Sequence, residues 1–83
     1  MRVAVDISLY PLREGYIEPI KDVIARLQAH ADISVEVNRL STQLIGDYDC
    51  VMQALKTEIQ PSLDKDHQAV FVIKILNADT AGF

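Results

Sequence analysis

From residue 2 to residue 10 the chain alternates, with Val3, Val5, Ile7 and Leu9 interleaved by Arg2, Ala4, Asp6, Ser8 and Tyr10. That period of two predicts a strand with one buried face. Pro11 has no N–H to give a ladder, so it marks the strand's end. After a loop containing Gly15 the period turns helical: Ile17, Ile20, Ile24, Leu27 and Ala31 form a stripe that Val23 widens. Glu18 and Pro19 suit a first turn, where an acid meets the helix dipole and a missing N–H does no harm. The pattern predicts a helix over residues 16–30.

Alternation returns at Ile33, Val35 and Val37, set against Ser34, Glu36 and Asn38. Asn38-Arg39-Leu40-Ser41 reads as a short turn, although Asn-Arg is a weaker hairpin signal than Asn-Gly. Residues 42–46 form the returning strand. A second helix is predicted over residues 48–59, with Val51, Met52, Leu55 and Ile59 on one face, Asp47 as N-cap and Asp49 as an early-turn acid. Pro61 is expected to stop it, and residues 62–67 read as a solvated loop. Residues 69–76, Ala-Val-Phe-Val-Ile-Lys-Ile-Leu, are almost continuously apolar and predict a last strand.

The order βαββαβ implies an α+β, ferredoxin-like sandwich: two right-handed crossovers put both helices on one face of a four-stranded antiparallel sheet. Residues 1–83 are read as a single such domain, without internal repeats. The other sheet face should be polar if it meets water. Yet the last strand is apolar on both sides, with Val70, Val72 and Leu76 on one and Phe71, Ile73 and Ile75 on the other. Scattered surface hydrophobics are the bland account. A second subunit over the sheet explains the patch better, and a homodimer or homotetramer is expected.

Composition strengthens that expectation. A chain of 83 residues, 49% hydrophobic and 24% charged, is an ordinary folded composition but a small core. One cysteine, Cys50, cannot form an internal disulfide, and His30 and His67 lie too far apart for a zinc-finger-like cluster. No metal or cofactor is expected, and self-association is left as the source of extra stability. The net charge of −4 speaks against non-specific binding to nucleic acid or anionic membrane. No apolar run reaches membrane-spanning length, and Asp6 interrupts the N-terminal apolar residues too early for a signal peptide. A cytoplasmic location is the expectation.

Two segments concentrate polar groups beside turns: Ser8-Leu9-Tyr10-Pro11-Leu12, where the first strand ends, and residues 38–49, around the hairpin and the start of the second helix. In these segments Ser8-Leu9-Tyr10-Pro11 and Ser41-Thr42-Gln43-Leu44-Ile45-Gly46 resemble the YkoF-like thiamine/hydroxymethylpyrimidine-binding family. There an S-L-Y-P segment ends the first strand and an S-T-x-L-x-G segment precedes the second helix. The resemblance covers nearly the whole chain. It implies a ferredoxin-like domain that binds thiamine or its pyrimidine precursor without chemistry, in vitamin salvage or transport. Related proteins carry two such domains in tandem, so the second copy here would come from another subunit.

The residues support a ligand site on their own terms. An aminopyrimidine offers a donor–acceptor edge and a flat face, and thiamine adds a thiazolium cation. Ser8, Thr42 and Gln43 are candidate partners for the edge, and Tyr10 and Tyr48 for the face. Asp49, or Asp47, is the candidate carboxylate for the cation, with Asp6 and Glu36 as alternatives. By alternation Thr42 and Gln43 point to opposite sheet faces, and Thr42 is the better candidate. Capping alone accounts for acids at positions 47 and 49. Gly46 fits either a close ligand approach or a simple strand-to-helix turn. His30 is expected to complement a helix dipole, His67 to lie on a loop surface, and Cys50 to be buried filler.

Other classes fare worse. A protein-interaction or regulatory module docking through the apolar sheet face is the main alternative. Acylphosphatase shares the topology but needs a phosphate-cradling loop, and Tyr-Pro-Leu-Arg-Glu-Gly after the first strand has no glycine-rich nest, only Arg13. An enzyme is therefore not expected. No strand carries the stacking aromatics of an RNA-recognition module.

Overall fold

A computed structural model describes residues 1–65 and 67–77. Its elements run β1 (Arg2–Pro11), α1 (Ile17–Gln28), β2 (Ser34–Val37), β3 (Thr42–Asp47), α2 (Tyr48–Leu63) and β4 (Ala69–Leu76). The strands form one antiparallel sheet in the order β2-β3-β1-β4, which is the ferredoxin-like arrangement the element order implies. Residues 78–83 of the tail and Asp66 of the expected loop lie outside the described residues.

Register shows which side chains share a face. Val3, Val5 and Ile7 of β1 stand opposite Gly46, Leu44 and Thr42 of β3, and Val35 of β2 stands opposite Leu44. These residues turn to the helices, where Val23 and Leu27 of α1 and Val51, Ala54 and Leu55 of α2 complete the core. Five side chains in it are fully buried: Leu27, Leu44, Val3, Val5 and Val51. Each contributes about 1.5–3 kcal/mol relative to exposure. Asp6, Ser8, Tyr10, Gln43, Ile45, Val70, Val72, Lys74 and Leu76 occupy the open face.

The helices rest chiefly on β1, β2 and β3. On β4 Ala69 and Phe71 pack against the core from the helix side. Ile73 and Ile75 share that side, opposite Ile7 and Val5, yet are 36% and 51% exposed. Val70, Val72 and Leu76 are exposed on the open side as well. The last strand is thus uncovered on both faces, whereas the sequence pattern anticipated an uncovered patch on the open face alone.

Local chemistry explains the turns. Gly15 takes φ +69°, a left-handed conformation that costs a side-chain-bearing residue and suits glycine. The β2–β3 turn needs no glycine because the Asn38 Oδ1 accepts from the N–H groups of Leu40 and Ser41, both at 2.9 Å. Asn38 N–H in turn donates to the Ser41 carbonyl.

Two boundaries differ from the pattern. α1 begins at Ile17 and ends at Gln28, and Ile17 is exposed rather than part of the buried stripe. α2 runs through Pro61 to Leu63 instead of stopping there. Proline removes one N–H near the helix end, and Arg26 of α1 clamps that last turn. Its Nη2 donates to the Glu58 carbonyl at 2.8 Å and to the Ser62 hydroxyl at 2.7 Å, and its Nε lies 3.2 Å from Glu58 Oε1. His30 joins the same cluster, Nε2 standing 2.6 Å from Glu58 Oε2, so it ties the two helices together as well as following a helix end.

Candidate functional site

At the end of the sheet where β1 runs into Pro11, the helix layer and the β2–β3 turn diverge. They leave a cavity of about 440 Å³, within the range of small-molecule sites. Its floor is core: Ile7 and Leu9 from β1, Val23 and Leu27 from α1. Its rim carries Tyr10, Leu12, Tyr16 and Leu40, all exposed, with Phe71 on the β4 side. Polar groups enter from the β2–β3 turn, where Asn38, Arg39, Ser41 and Thr42 line one wall. A flat heteroaromatic ring fits such a space, with apolar and aromatic walls for its faces and few polar groups for its edge.

Thr42 is the buried polar member. It is only 6% exposed, lines the cavity, and sits at the helix-facing register position opposite Ile7. No hydrogen bond to its hydroxyl is found among the described residues, which leaves a donor and an acceptor for a bound molecule. Asn38 is committed to the turn, and the Ser41 hydroxyl donates to Asp6 Oδ1 at 2.5 Å. Arg39 is exposed and is the sole charged residue among those lining the cavity.

The structure brings Ser8, Tyr10 and Thr42 to this cavity. Ser8 and Tyr10 belong to the open face by register, opposite Val72 and Val70, and reach the cavity at the strand's end. Gln43 lies elsewhere, in a shallower cavity of about 210 Å³ on the open face beside Asp6 and Lys74. Tyr48 and Asp49 lie at the far end of the sheet, at the start of α2. Six residues of extended chain separate Thr42 from Tyr48, roughly 20 Å. They cannot share a small ligand with Thr42 in one subunit.

The acids at that far end have structural work. Asp47 is the N-cap of α2 by position but makes no side-chain cap bond; its Oδ1 lies 3.3 Å from the Met1 ammonium. Cys50, half-buried beside it, has its thiol pKa raised by a hydrogen bond to Asp32, then by burial and by the charges of Asp32, Asp47 and Asp49. Gly46 is buried under α2, and a Cβ there would lie 3.2 Å from methyls of both Ile33 and Val51. Close packing explains this glycine. Glu36 stands on the open face opposite Gln43, and His67 is half-buried rather than a free loop residue.

The pattern missed Leu12, Tyr16, Arg39, Leu40 and Phe71. Leu12 and Leu40 carry a usable signal, being large apolar residues placed in turns, where polar ones are the norm. Tyr16 and Phe71 carry none, because only the meeting of separate elements puts them on one rim.

Fold and cavity together define a ferredoxin-like domain with a ligand-sized apolar site at one end of its sheet. The chain belongs to the YKOF-related family, whose model matches residues 2–78. Among solved structures it is similar to a Streptococcus pneumoniae protein, with 26% identity and a TM-score of 0.86 over 96% of this chain and 90% of that one. A Methanocaldococcus jannaschii protein shows 29% identity and a TM-score of 0.78 over 95% and 82%. A Thermotoga maritima protein provisionally assigned to thiamine biosynthesis or salvage shows 20% identity and a TM-score of 0.79 over 90% and 82%. No curated protein matches the chain. Among the described residues no helix is long and apolar enough to cross a membrane, and no group of three or more metal-ligating side chains converges.

Proposed function

We propose that the protein binds thiamine or its hydroxymethylpyrimidine precursor, without catalysis, in cytoplasmic vitamin salvage or transport. The observation that carries this reading is the apolar cavity with Thr42, a buried polar residue whose hydroxyl has no hydrogen bond among the described residues, in its wall. Membership of the YKOF-related family supports it, as does the salvage assignment of the Thermotoga maritima neighbour. Binding rather than reaction is favoured by the lining itself. Acid–base or nucleophilic catalysis calls for a positioned titratable group with an activating neighbour, and the wall offers hydroxyls, amides and one exposed arginine.

Isothermal titration with thiamine and, separately, hydroxymethylpyrimidine tests the reading. Saturable heat at a fixed ratio to subunit is expected, and Thr42→Val should weaken it about tenfold, the loss of one buried hydrogen bond. Silence with both compounds at millimolar concentration refutes it.

The same reading includes a second copy of the chain over the sheet. Val70, Val72 and Leu76 form an exposed row on the open face, with Tyr10 beside it. Light scattering should return a dimer or tetramer mass, and Val72→Glu should lower it. A monomer at 100 μM or so, well above the Kd of a specific interface, removes the second copy and favours docking of a different protein on that face.

A further inference from the structure

Resting on the binding reading above, we infer that the preferred occupant of the cavity is anionic: a phosphate ester of the pyrimidine alcohol rather than the thiazolium-bearing vitamin. The charges around the cavity decide this. Of the residues lining it, Arg39 alone is charged, and no carboxylate faces the space. Asp47 and Asp49, the acids that would meet a cation, lie at the other end of the sheet, Asp47 about 17 Å from Thr42 along β3 and Asp49 beyond it in α2. Asp6 stands on the open face and holds the Ser41 hydroxyl. A thiazolium entering this site leaves water without gaining a counter-charge, which is unfavourable in an apolar enclosure.

An anion meets the opposite situation. No hydrogen bond or ion pair of the Arg39 guanidinium is found among the described residues, and the turn that carries it is fixed by the Asn38 side chain, which accepts from the N–H groups of Leu40 and Ser41. A guanidinium matches a phosphate with two parallel hydrogen bonds. α1 starts at the same mouth, because Tyr16 and Ile20 both line the cavity. Tyr16 is the N-cap and gives no side-chain cap bond, so the first-turn N–H groups keep their partial positive charge. Glu18 offsets part of that charge but is exposed and outside the lining. The ring itself is left to the apolar walls and Thr42. The term acting the other way is the faces of Tyr10, Tyr16 and Phe71, which attract a cation when desolvated.

The test is titration calorimetry on the full chain, at fixed ionic strength, with hydroxymethylpyrimidine, its monophosphate and thiamine. The monophosphate should bind about tenfold more tightly than either other compound, the scale of one charge-assisted phosphate contact. Arg39→Gln should remove that advantage. Arg13→Gln, which deletes the same charge from an exposed site outside the cavity, should retain it. Thiamine binding as tightly as the monophosphate, or an advantage that survives Arg39→Gln, overturns the inference while leaving the vitamin-binding reading intact. No binding of any of the three overturns both.

Discussion

Replacing Gly46 by alanine separates two roles for the glycine near the end of β3, close packing under α2 and close approach of a ligand. Its backbone is not left-handed, since Gly15 alone has positive φ among the described residues, so the argument is about space. An added Cβ would stand 3.2 Å from Ile33 Cγ2 and 3.2 Å from Val51 Cγ2. Val51 is fully buried and cannot yield easily, while Ile33 is half-buried and can. Overpacking of this kind costs about 1–3 kcal/mol. Burying the new methyl returns about 0.8 kcal/mol, and restricting the unfolded chain returns about 0.4–1 kcal/mol. At the middle of these ranges the net expectation is a loss of about 0.5 kcal/mol, which lowers the melting temperature of a domain this size by about 2–4 °C. Gly46→Val adds two further methyls against the same helix and should cost about 3 kcal/mol or more. Urea titration should show the midpoint falling in that order at constant slope. Affinity for a pyrimidine should not change with alanine, because Thr42 is four residues away along β3, about 13 Å. An alanine variant as stable as the parent would show slack between α2 and β3 and defeat the packing account. A stable variant that loses ligand would return Gly46 to the site.

Arg26→Met keeps the aliphatic stem but removes the donors to Glu58 and Ser62, and with Glu58 only 13% exposed it should cost about 2–3 kcal/mol in urea titration; a loss below about 0.5 kcal/mol would mean that the clamp on the last turn of α2 is idle. The exposed pair with Asp22 adds little to that figure, so Asp22→Asn should be nearly neutral. Cys50 should react with a thiol reagent more slowly than free cysteine at pH 8, because a raised pKa leaves less thiolate, the attacking form, at that pH. Asp32→Asn should speed the reaction, since it removes the charge beside the thiol, and an unchanged rate would show that Asp32 does not control it.

The alternation at residues 2–10 and 33–37, the helical stripe from Ile20 to Leu27 and the apolar run at 69–76 determined the element order, and with it the fold. Periodicity is a local property that each segment states by itself. The helix ends were less legible. Pro61 reads as a stop until Arg26, 35 positions earlier, is seen to hold the turn that contains it. The candidate site was legible by half. Ser8, Tyr10 and Thr42 border one cavity because the end of β1 lies beside the start of β3, where Ile7 pairs with Thr42, although Ser8 and Tyr10 belong to the opposite face. Gln43, Tyr48 and Asp49 sit far nearer Thr42 in sequence than Ser8 or Tyr10 does, but a strand turns alternate side chains to opposite faces and carries its two ends about 20 Å apart. The charge of the cavity was decided by tertiary structure alone. It depends on which of the chain's acids face the space, and the fold leaves Arg39 there without one.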